Sequence, residues 1–356
     1  MIRIVKKADL PKNKEWLIRA AAVMLSIVFA GLVIAILGFD PVKVLTQIVN
    51  GAVGSQMRLN QTILKAIPLI ITSMGILVAF KMKFWNIGGE GQIMMGAIGA
   101  AFVALRLSPE LPAAVMLFSM AIAAAVCGGF WAFLPAFFKA KFGTNETIFT
   151  LMMNYIAIKW ATYLQFDLWK DPASSGFPKV ATFPANGLMP KVLGVHIGWI
   201  IAIAAVVLIY LFINHTKKGY EVTVLGESLE TARYAGMNIK SIMITAMLIS
   251  GGLCGLAGMV QASAIEKTLT YSLSANYGFT AIITTWLGRL SAPAIAVVCF
   301  VFAMLLQGGA YLQIALSVPA SVSVMIQGII LFFVLGSEFF IQYKVAVTGK
   351  GKKEVA

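Results

Sequence analysis

Ten stretches of nearly unbroken apolar residues alternate with short polar connections along the chain, at about 16–38, 62–80, 86–105, 112–137, 145–165, 197–214, 241–263, 276–289, 292–312 and 320–341. A bilayer-spanning helix uses about 20 such residues. The pattern therefore predicts an all-α integral membrane protein of about ten transmembrane helices. The first run, Trp16 to Gly38, follows Arg3, Lys6, Lys7, Lys12, Lys14 and Arg19 and is longer than the apolar core of a signal peptide. It reads as a retained first helix with its basic end in the cytoplasm. Ten crossings place both termini on that side. The connections then assigned to the cytoplasm, with the two ends, hold nineteen Lys and Arg, the outer connections seven, and Lys65 and Lys159 fall within spans. That asymmetry favours the same orientation. The expected organisation is a basic cytoplasmic segment at 1–15, one transmembrane domain at 16–341 and a basic cytoplasmic tail at 342–356. An outer loop at 166–195 and a cytoplasmic loop at 216–240 interrupt the domain.

Composition narrows the class. Of 356 residues, 60% are hydrophobic and 12% charged, against about 45–50% and about 25% for a soluble domain. A water-soluble fold and a single membrane anchor are both excluded. The net charge of +14 would suit a nucleic-acid binder, but the basic residues sit at the ends of apolar runs and make no contiguous phosphate-reading face. No nucleic-acid partner is expected. Cys127, Cys254 and Cys299 lie singly inside apolar runs, and His196 and His215 are isolated at run edges. Neither a metal site nor a catalytic triad has its raw material. The tail string Gly349-Lys350-Gly351-Lys352 lacks both the upstream glycine and the following hydroxyl residue of a phosphate-binding loop, so the chain cannot hydrolyse ATP by that mechanism.

The chemistry lies in polar residues at membrane positions. Phe84-Trp85-Asn86-Ile87-Gly88-Gly89-Glu90-Gly91-Gln92 opens the third run with three glycines, two amides and a carboxylate. A carboxylate near the bilayer centre costs about 2.5–3.5 kcal/mol, which directs Glu90 toward protein or water. Two readings stand: a helix interrupted where it lines a cavity, or a solvated cytoplasmic mouth. The fifth run begins Gly143-Thr144-Asn145-Glu146-Thr147, with Thr150 and Asn154 following Glu146 on one helical face. A helix cap explains the first of these residues, but Asn154, two turns further in, requires a hydrogen-bond partner. Gly251, Gly252, Gly255 and Gly258 read as a close helix contact. The eighth run is short, bounded by Gly278 and Gly288 and rich in threonine, including Thr284, the pattern of a broken helix at a transporter centre.

Two connections stand out. The outer loop carries Pro172, Pro178, Pro184 and Pro190 and is either a plain solvated loop or a docking surface rimmed by Asp167, Lys170, Asp171 and Lys179. The cytoplasmic loop contains Gly226-Glu227-Ser228-Leu229-Glu230-Thr231-Ala232-Arg233-Tyr234-Ala235-Gly236-Met237-Asn238. Ser228 caps a two-turn helix, Glu230 and Arg233 sit at its favourable ends, and Gly236 stops it. A helix this short needs something packed on it, either lipid headgroups or a cytoplasmic partner.

Three of these stretches, Asn86–Gln92, Gly143–Glu146 with Leu151–Ile156, and Gly226–Asn238, resemble the membrane permeases of bacterial ATP-binding cassette importers for simple sugars, branched-chain amino acids and nucleosides. They are most similar to the nucleoside subgroup, since Gly-Gly-Glu-Gly-Gln stands where sugar permeases typically carry Asp-Leu-Ser-Val-Gly. The resemblance implies a type II importer permease with interrupted helices in the bacterial cytoplasmic (inner) membrane. It implies three partners: an ATPase subunit, a second permease forming a heterodimer, and an extracytoplasmic substrate-binding lipoprotein. ATP and Mg would be bound by the ATPase, leaving this chain with no cofactor and no catalytic residue. Carried over, Asn86, Glu90, Gln92, Asn145, Glu146, Thr147, Asn154 and Thr284 lie along the translocation path. Gly226, Glu227, Ser228, Glu230, Ala232, Arg233, Tyr234, Gly236 and Asn238 form the helix that couples to the ATPase. The competing reading is an ion-coupled secondary transporter using Glu90 or Glu146.

Overall fold

The structure, a computed structural model, describes residues 2–6, 12–107, 110–174 and 176–347. Lys7, Lys350, Lys352 and Lys353 of the basic ends, and the tail string 349–352, lie outside them. The chain forms two compact units, Met1–Leu59 with Met304–Ala356, and Asn60–Ala303. Each of the ten apolar runs folds as a helix. In order the elements are β1 (Ile2–Lys6), α1 (Lys12–Ile36), α2 (Pro41–Val53), α3 (Gln56–Lys81), α4 (Gly89–Arg106), α5 (Ala113–Phe142) and α6 (Glu146–Tyr163). A short hairpin of β2 (Lys191–Val192) and β3 (Val195–His196) precedes α7 (Gly198–His215), α8 (Lys217–Glu227), α9 (Leu229–Tyr234) and α10 (Ile239–Val260). The chain ends with α11 (Tyr277–Leu287), α12 (Ala292–Ala315), α13 (Ala320–Gln342) and β4 (Tyr343–Val347).

Among the described residues, five helices are long and apolar enough to cross a bilayer, and a sixth crossing is counted if α1 and α2 are one bent span. The eighth run departs from its expectation. α11 has 11 residues, about 16 Å of helix against a hydrocarbon core of about 30 Å, so it is a half-helix, too short to make a complete crossing by itself. α4 starts at Gly89 rather than at Asn86, because Phe84–Gly88 is irregular.

The first unit contains an element missing from the sequence reading, which left 39–61 as a connection. Asp40 accepts hydrogen bonds from the N–H groups of Val42 (3.0 Å) and Lys43 (3.2 Å), and Pro41 takes the first helical turn. Both are helix-start signals, and they launch α2 at 119° to α1. Ala30 and Ile34 of α1, Val44 and Ile48 of α2 and Leu312, Val322 and Ile326 from α12 and α13 form one apolar core. β1 and β4 pair antiparallel from Ile2↔Val347 to Lys6↔Tyr343.

In the second unit α4, α5 and α10 pack most closely. Lipid is as apolar as a leucine side chain, so such helices associate through backbone approach at small residues. A Cβ at Gly96 of α4 would overlap the Gly255 backbone of α10, and one at Gly258 would overlap the Ile93 carbonyl. The close-contact reading of the glycines in the seventh run is therefore the one the structure shows.

The loop at 166–195, expected on the outer side, is not a plain solvated strand of chain. Gln165, in a π-helical turn at Leu164–Leu168, donates to the Pro178 carbonyl at 3.0 Å and accepts the Tyr271 N–H at 2.9 Å. Phe183 N–H donates to the Lys267 carbonyl at 2.9 Å, and Ser263 Oγ to the Gly187 carbonyl at 2.6 Å. Its own Val180, Phe183, Met189 and Val195 are buried, while Asp167, Lys170 and Lys179 remain exposed. The loop is a pinned cap. Within it, buried His196 accepts the Gly198 N–H at Nδ1 (3.1 Å), and burial, with Lys191 nearby, lowers its pKa from 6.5 to about 4.

Two measurements check this packing. Gly255→Val should lower the Tm of the detergent-solubilised chain by several degrees, whereas Gly328→Ala, which meets nothing within 4 Å, should hold or raise it. Equal effects would contradict the seam. Because the unfolded chain binds a proton at His196 that the folded chain refuses, its contribution to stability is full above about pH 6.5 and is lost as pH falls toward about 4. His196→Gln should flatten that part of the Tm–pH curve, and an unaltered curve would refute the assignment.

Candidate functional site

The polar stretch before α4 is an elbow. α3 ends in a Schellman motif: Phe84 N–H reaches the Ala79 carbonyl (3.1 Å), Lys83 N–H reaches the Phe80 carbonyl (2.9 Å), and Lys83 takes φ +57°. The chain then turns back into the protein as the irregular segment Phe84–Gly88 before α4 begins. Irregular backbone at this position needs other partners for its polar groups, and named side chains supply them. Asn86 Nδ2 donates to Gln92 Oε1 (3.2 Å) and Ser250 Oγ (3.1 Å), while its Oδ1 accepts from Gly88 N–H and Gln92 Nε2, each at 3.0 Å.

The partner demanded by Asn154 is this same elbow. Its Nδ2 donates to the Ile87 carbonyl (2.9 Å) and its Oδ1 accepts the Gly91 N–H (2.8 Å). Thr150, one turn earlier on α6, accepts the Ile87 N–H at 3.2 Å. A side chain at Gly91 would press on Asn154, so glycine is what lets α6 approach. Two motifs separated by more than 60 residues in sequence are thus one hydrogen-bonded structure.

Glu90 connects this knot to the half-helix. It is 3% exposed, and its Oε1 accepts the Asn276 N–H (2.9 Å) while Oε2 accepts the Gly278 N–H (2.7 Å). The Phe279 N–H and the Ser274 side chain also bond to the carboxylate. Ala275 and Asn276 hold left-handed backbone, φ +46° and +61°, which presents amides to one anion. The carboxylate thereby caps the positive end of the α11 dipole. Gly278 is required here, because a Cβ on it would overlap the backbone of Glu90. Thr284, two turns along α11, bonds Ser73 Oγ of α3 at 2.8 Å, and Thr285 Oγ1 donates to the Ser73 carbonyl at 3.2 Å. Trp286 at the far end stacks on Trp85 of the elbow, with ring centroids 5.5 Å apart and planes 30° apart.

The expected path residues therefore divide. Asn86, Glu90, Gln92 and Asn154 come together in the knot, and Thr284 lies at the α3–α11 contact; all five are buried and hydrogen-bonded to protein in this conformation. Asn145, Glu146 and Thr147 stand apart at the start of α6. Asn145 is the cap, accepting from Thr147 N–H (3.0 Å) and Ile148 N–H (3.2 Å), and Glu146 pairs with Lys139 at 2.7 Å. Sequence reasoning missed Ser250, Ser73 and Ser274. Ser250 and the pair Thr72-Ser73 are hydroxyl residues deep inside apolar runs, and that oddity was their available signal.

The loop at 216–240, expected on the cytoplasmic side, has the predicted short helix and one more. Ser228 Oγ accepts the Thr231 N–H (3.2 Å), Glu230 and Arg233 pair at 3.4 Å, and Gly236 takes φ +69°. Asn238 caps α10 by accepting the Ser241 N–H at 3.1 Å. Glu227 and Tyr234 are exposed, Tyr234 by 96%, and Ala232 is buried. α8 was read as loop, although Thr216 caps it by accepting the Gly219 N–H at 3.0 Å. Gly226 does not face outward with α9; it is buried against the end of α3.

A helical bundle with several membrane-length apolar helices, a half-helix and a polar elbow inside it defines a multi-pass membrane protein of transporter type. Residues 58–335 match the family described as branched-chain amino acid transport system, permease component, and the chain belongs to that family. It is 33% identical to the glucose ABC transporter permease protein TsgB13 of Haloferax volcanii, over 91% of this chain and 88% of that one. It is 29% identical to the guanosine ABC transporter permease protein NupP of Bacillus subtilis, over 96% and 97%. The nucleoside ABC transporter permease protein NupB of Lactococcus lactis is 27% identical, over 91% of each. Permease components of this family are not enzymes, and ATPase activity resides in a separate subunit.

Glu90→Gln keeps the shape but replaces a charge-assisted cap of α11 with a neutral group that also carries donors facing donors. It should destabilise the purified chain by about 2–3 kcal/mol, seen as a lower Tm. An unchanged Tm would show that the carboxylate does not hold α11.

Proposed function

We propose that the chain is the membrane permease subunit of an ATP-binding cassette importer, forming the path for a nucleoside delivered by an external binding lipoprotein. The observation that carries the reading is the α8–α9–α10 arrangement in a member of a permease family: a capped, two-turn helix with an almost fully exposed tyrosine. The relatives named for guanosine and for nucleosides support the nucleoside preference. The relative named for glucose keeps a simple sugar as the alternative solute. A neutral, hydroxyl-bearing solute suits a protein whose carboxylates at these positions are already satisfied. Glu90 is committed to backbone donors and Glu146 to Lys139, which speaks against an ion-coupled carrier that must load and unload one of them.

In this reading the chain crosses the bacterial inner membrane ten times with α4 and α11 as broken elements, and both ends lie in the cytoplasm. The pairing of β1 with β4 and the excess of basic residues on one side support that topology. A second, non-identical permease completes the path, two ATPase subunits bind ATP and Mg, and α9 is the element they grip. The residues carried to the path are reassigned in part: Asn86, Glu90, Gln92, Asn154 and Thr284 build and hold the wall. Asn145, Glu146 and Thr147 stand at its cytoplasmic rim.

Co-reconstitution with the ATPase, second permease and lipoprotein should give guanosine uptake that needs ATP, and the chain alone should give none under a pH or sodium gradient. Gradient-driven uptake by the chain alone would refute the proposal. Tyr234→Ala should reduce the ATPase that co-purifies with the permease, and undiminished co-purification would remove α9 from the interface.

A further inference from the structure

α9 is joined to the bundle at two points, and they differ in stiffness. On one side Ser228 belongs to both α8 and α9. Its N–H donates to the Val224 carbonyl (3.0 Å), closing α8, and its Oγ accepts from Thr231 N–H, opening α9. Ser228 alone separates the two helices. On the other side Ala235–Asn238 intervene, with Gly236 in left-handed backbone and Ala235 and Gly236 exposed.

The stiff side leads directly to the elbow. Gly226, in the last turn of α8, lies so close to the end of α3 that a Cβ would overlap the Lys81 carbonyl oxygen and sit 3.1 Å from Met82 Cα. Those residues are where the elbow begins. A cleft of about 280 Å³ beside this contact, lined by Met82, Lys83, Phe84, Leu225, Glu227 and Met243 among others, leaves room for displacement. The elbow and the first turn of α4 that follows it together hold α11 at both ends, through Glu90 of α4 at its start and through Trp85 of the elbow on Trp286 at its finish.

We propose that force applied to α9 enters the bundle through α8 and the Gly226–Lys81 contact, not through α10, and that the elbow and α11 then move as one body. The proposal rests on the reading that a separate ATPase grips α9. Gly226 acts as a positioning residue: its missing side chain is what lets two backbones bear on each other. The elbow and the start of α4 have one anchor each on α11, at its two ends, so a tilt of the α3 end carries the half-helix with it rather than bending it.

The test inserts one glycine at either joint of α9 in the complete transporter, between Glu227 and Ser228 or between Gly236 and Met237. Guanosine uptake and ATP hydrolysis are measured in the same vesicles. The first insertion should lower uptake per ATP hydrolysed by about tenfold with the ATPase still bound, and the second should change it by less than about twofold. Gly226→Ala should resemble the first insertion, with hydrolysis retained. A merely structural role would instead lower hydrolysis, uptake and bound ATPase together. Equal losses from both insertions, a larger loss from the second, or full coupling in both would overturn the α8 route. If the unaltered complex retains no ATPase on α9, the functional reading fails instead, and ATPase co-purification reports that separately.

Discussion

The bonds between the Glu90 carboxylate and the backbone amides at the start of α11 are the constraint on which the rest of the site depends. A half-helix that begins inside a membrane protein exposes unsatisfied N–H groups and the positive end of its dipole where no water can solvate them. A buried carboxylate has the complementary problem. Placed 2.7 and 2.9 Å apart, each removes the cost of the other. The glycines follow from this pairing: the α4 and α11 backbones must touch for a glutamate in the first turn of one to reach the amides of the other, and Gly278 permits that contact.

Once Glu90 is fixed, the elbow has to be fixed as well, since the irregular segment just before it carries backbone groups of its own. Asn86, Gln92, Ser250, Thr150 and Asn154 satisfy them, and in doing so they tie α6 and α10 to the start of α4. The close packing of α4, α5 and α10 through Gly96, Gly255 and Gly258 then supplies the stiff frame against which an elbow and a half-helix can shift. Interfaces of this kind have discrete arrangements rather than a continuum, which is what a transporter alternating between two states requires.

Much of this was legible in the sequence. The ten apolar runs are ten helices, Asn145, Ser228 and Asn238 cap as their residue types suggest, Gly236 stops its helix, and Asn154 had to have a partner. What sequence could not supply was which residue that partner is. The Asn154–Gly91 and Glu90–Gly278 contacts join segments about 60 and 190 residues apart, and spacing within a helix carries no information about them. Read alone, a polar residue inside an apolar run looks like a path-lining contact. Here Asn86, Glu90, Gln92 and Asn154 hydrogen-bond to protein, a distinction that depends on tertiary contacts. α2 and α8 were missed because each is short, 13 and 11 residues, and lies beside a longer run. Their caps, Asp40-Pro41 and Thr216, were visible but outweighed by the membrane pattern.

The central claim is that α11 is a half-helix whose first amides are held by Glu90. Hydrogen–deuterium exchange of the native protein, read over residues 274–287, tests it most directly. The account predicts that the amides of Asn276, Gly278 and Phe279 exchange as slowly as those in the middle of α4. Exchange at the rate of an open loop at those three positions would contradict it.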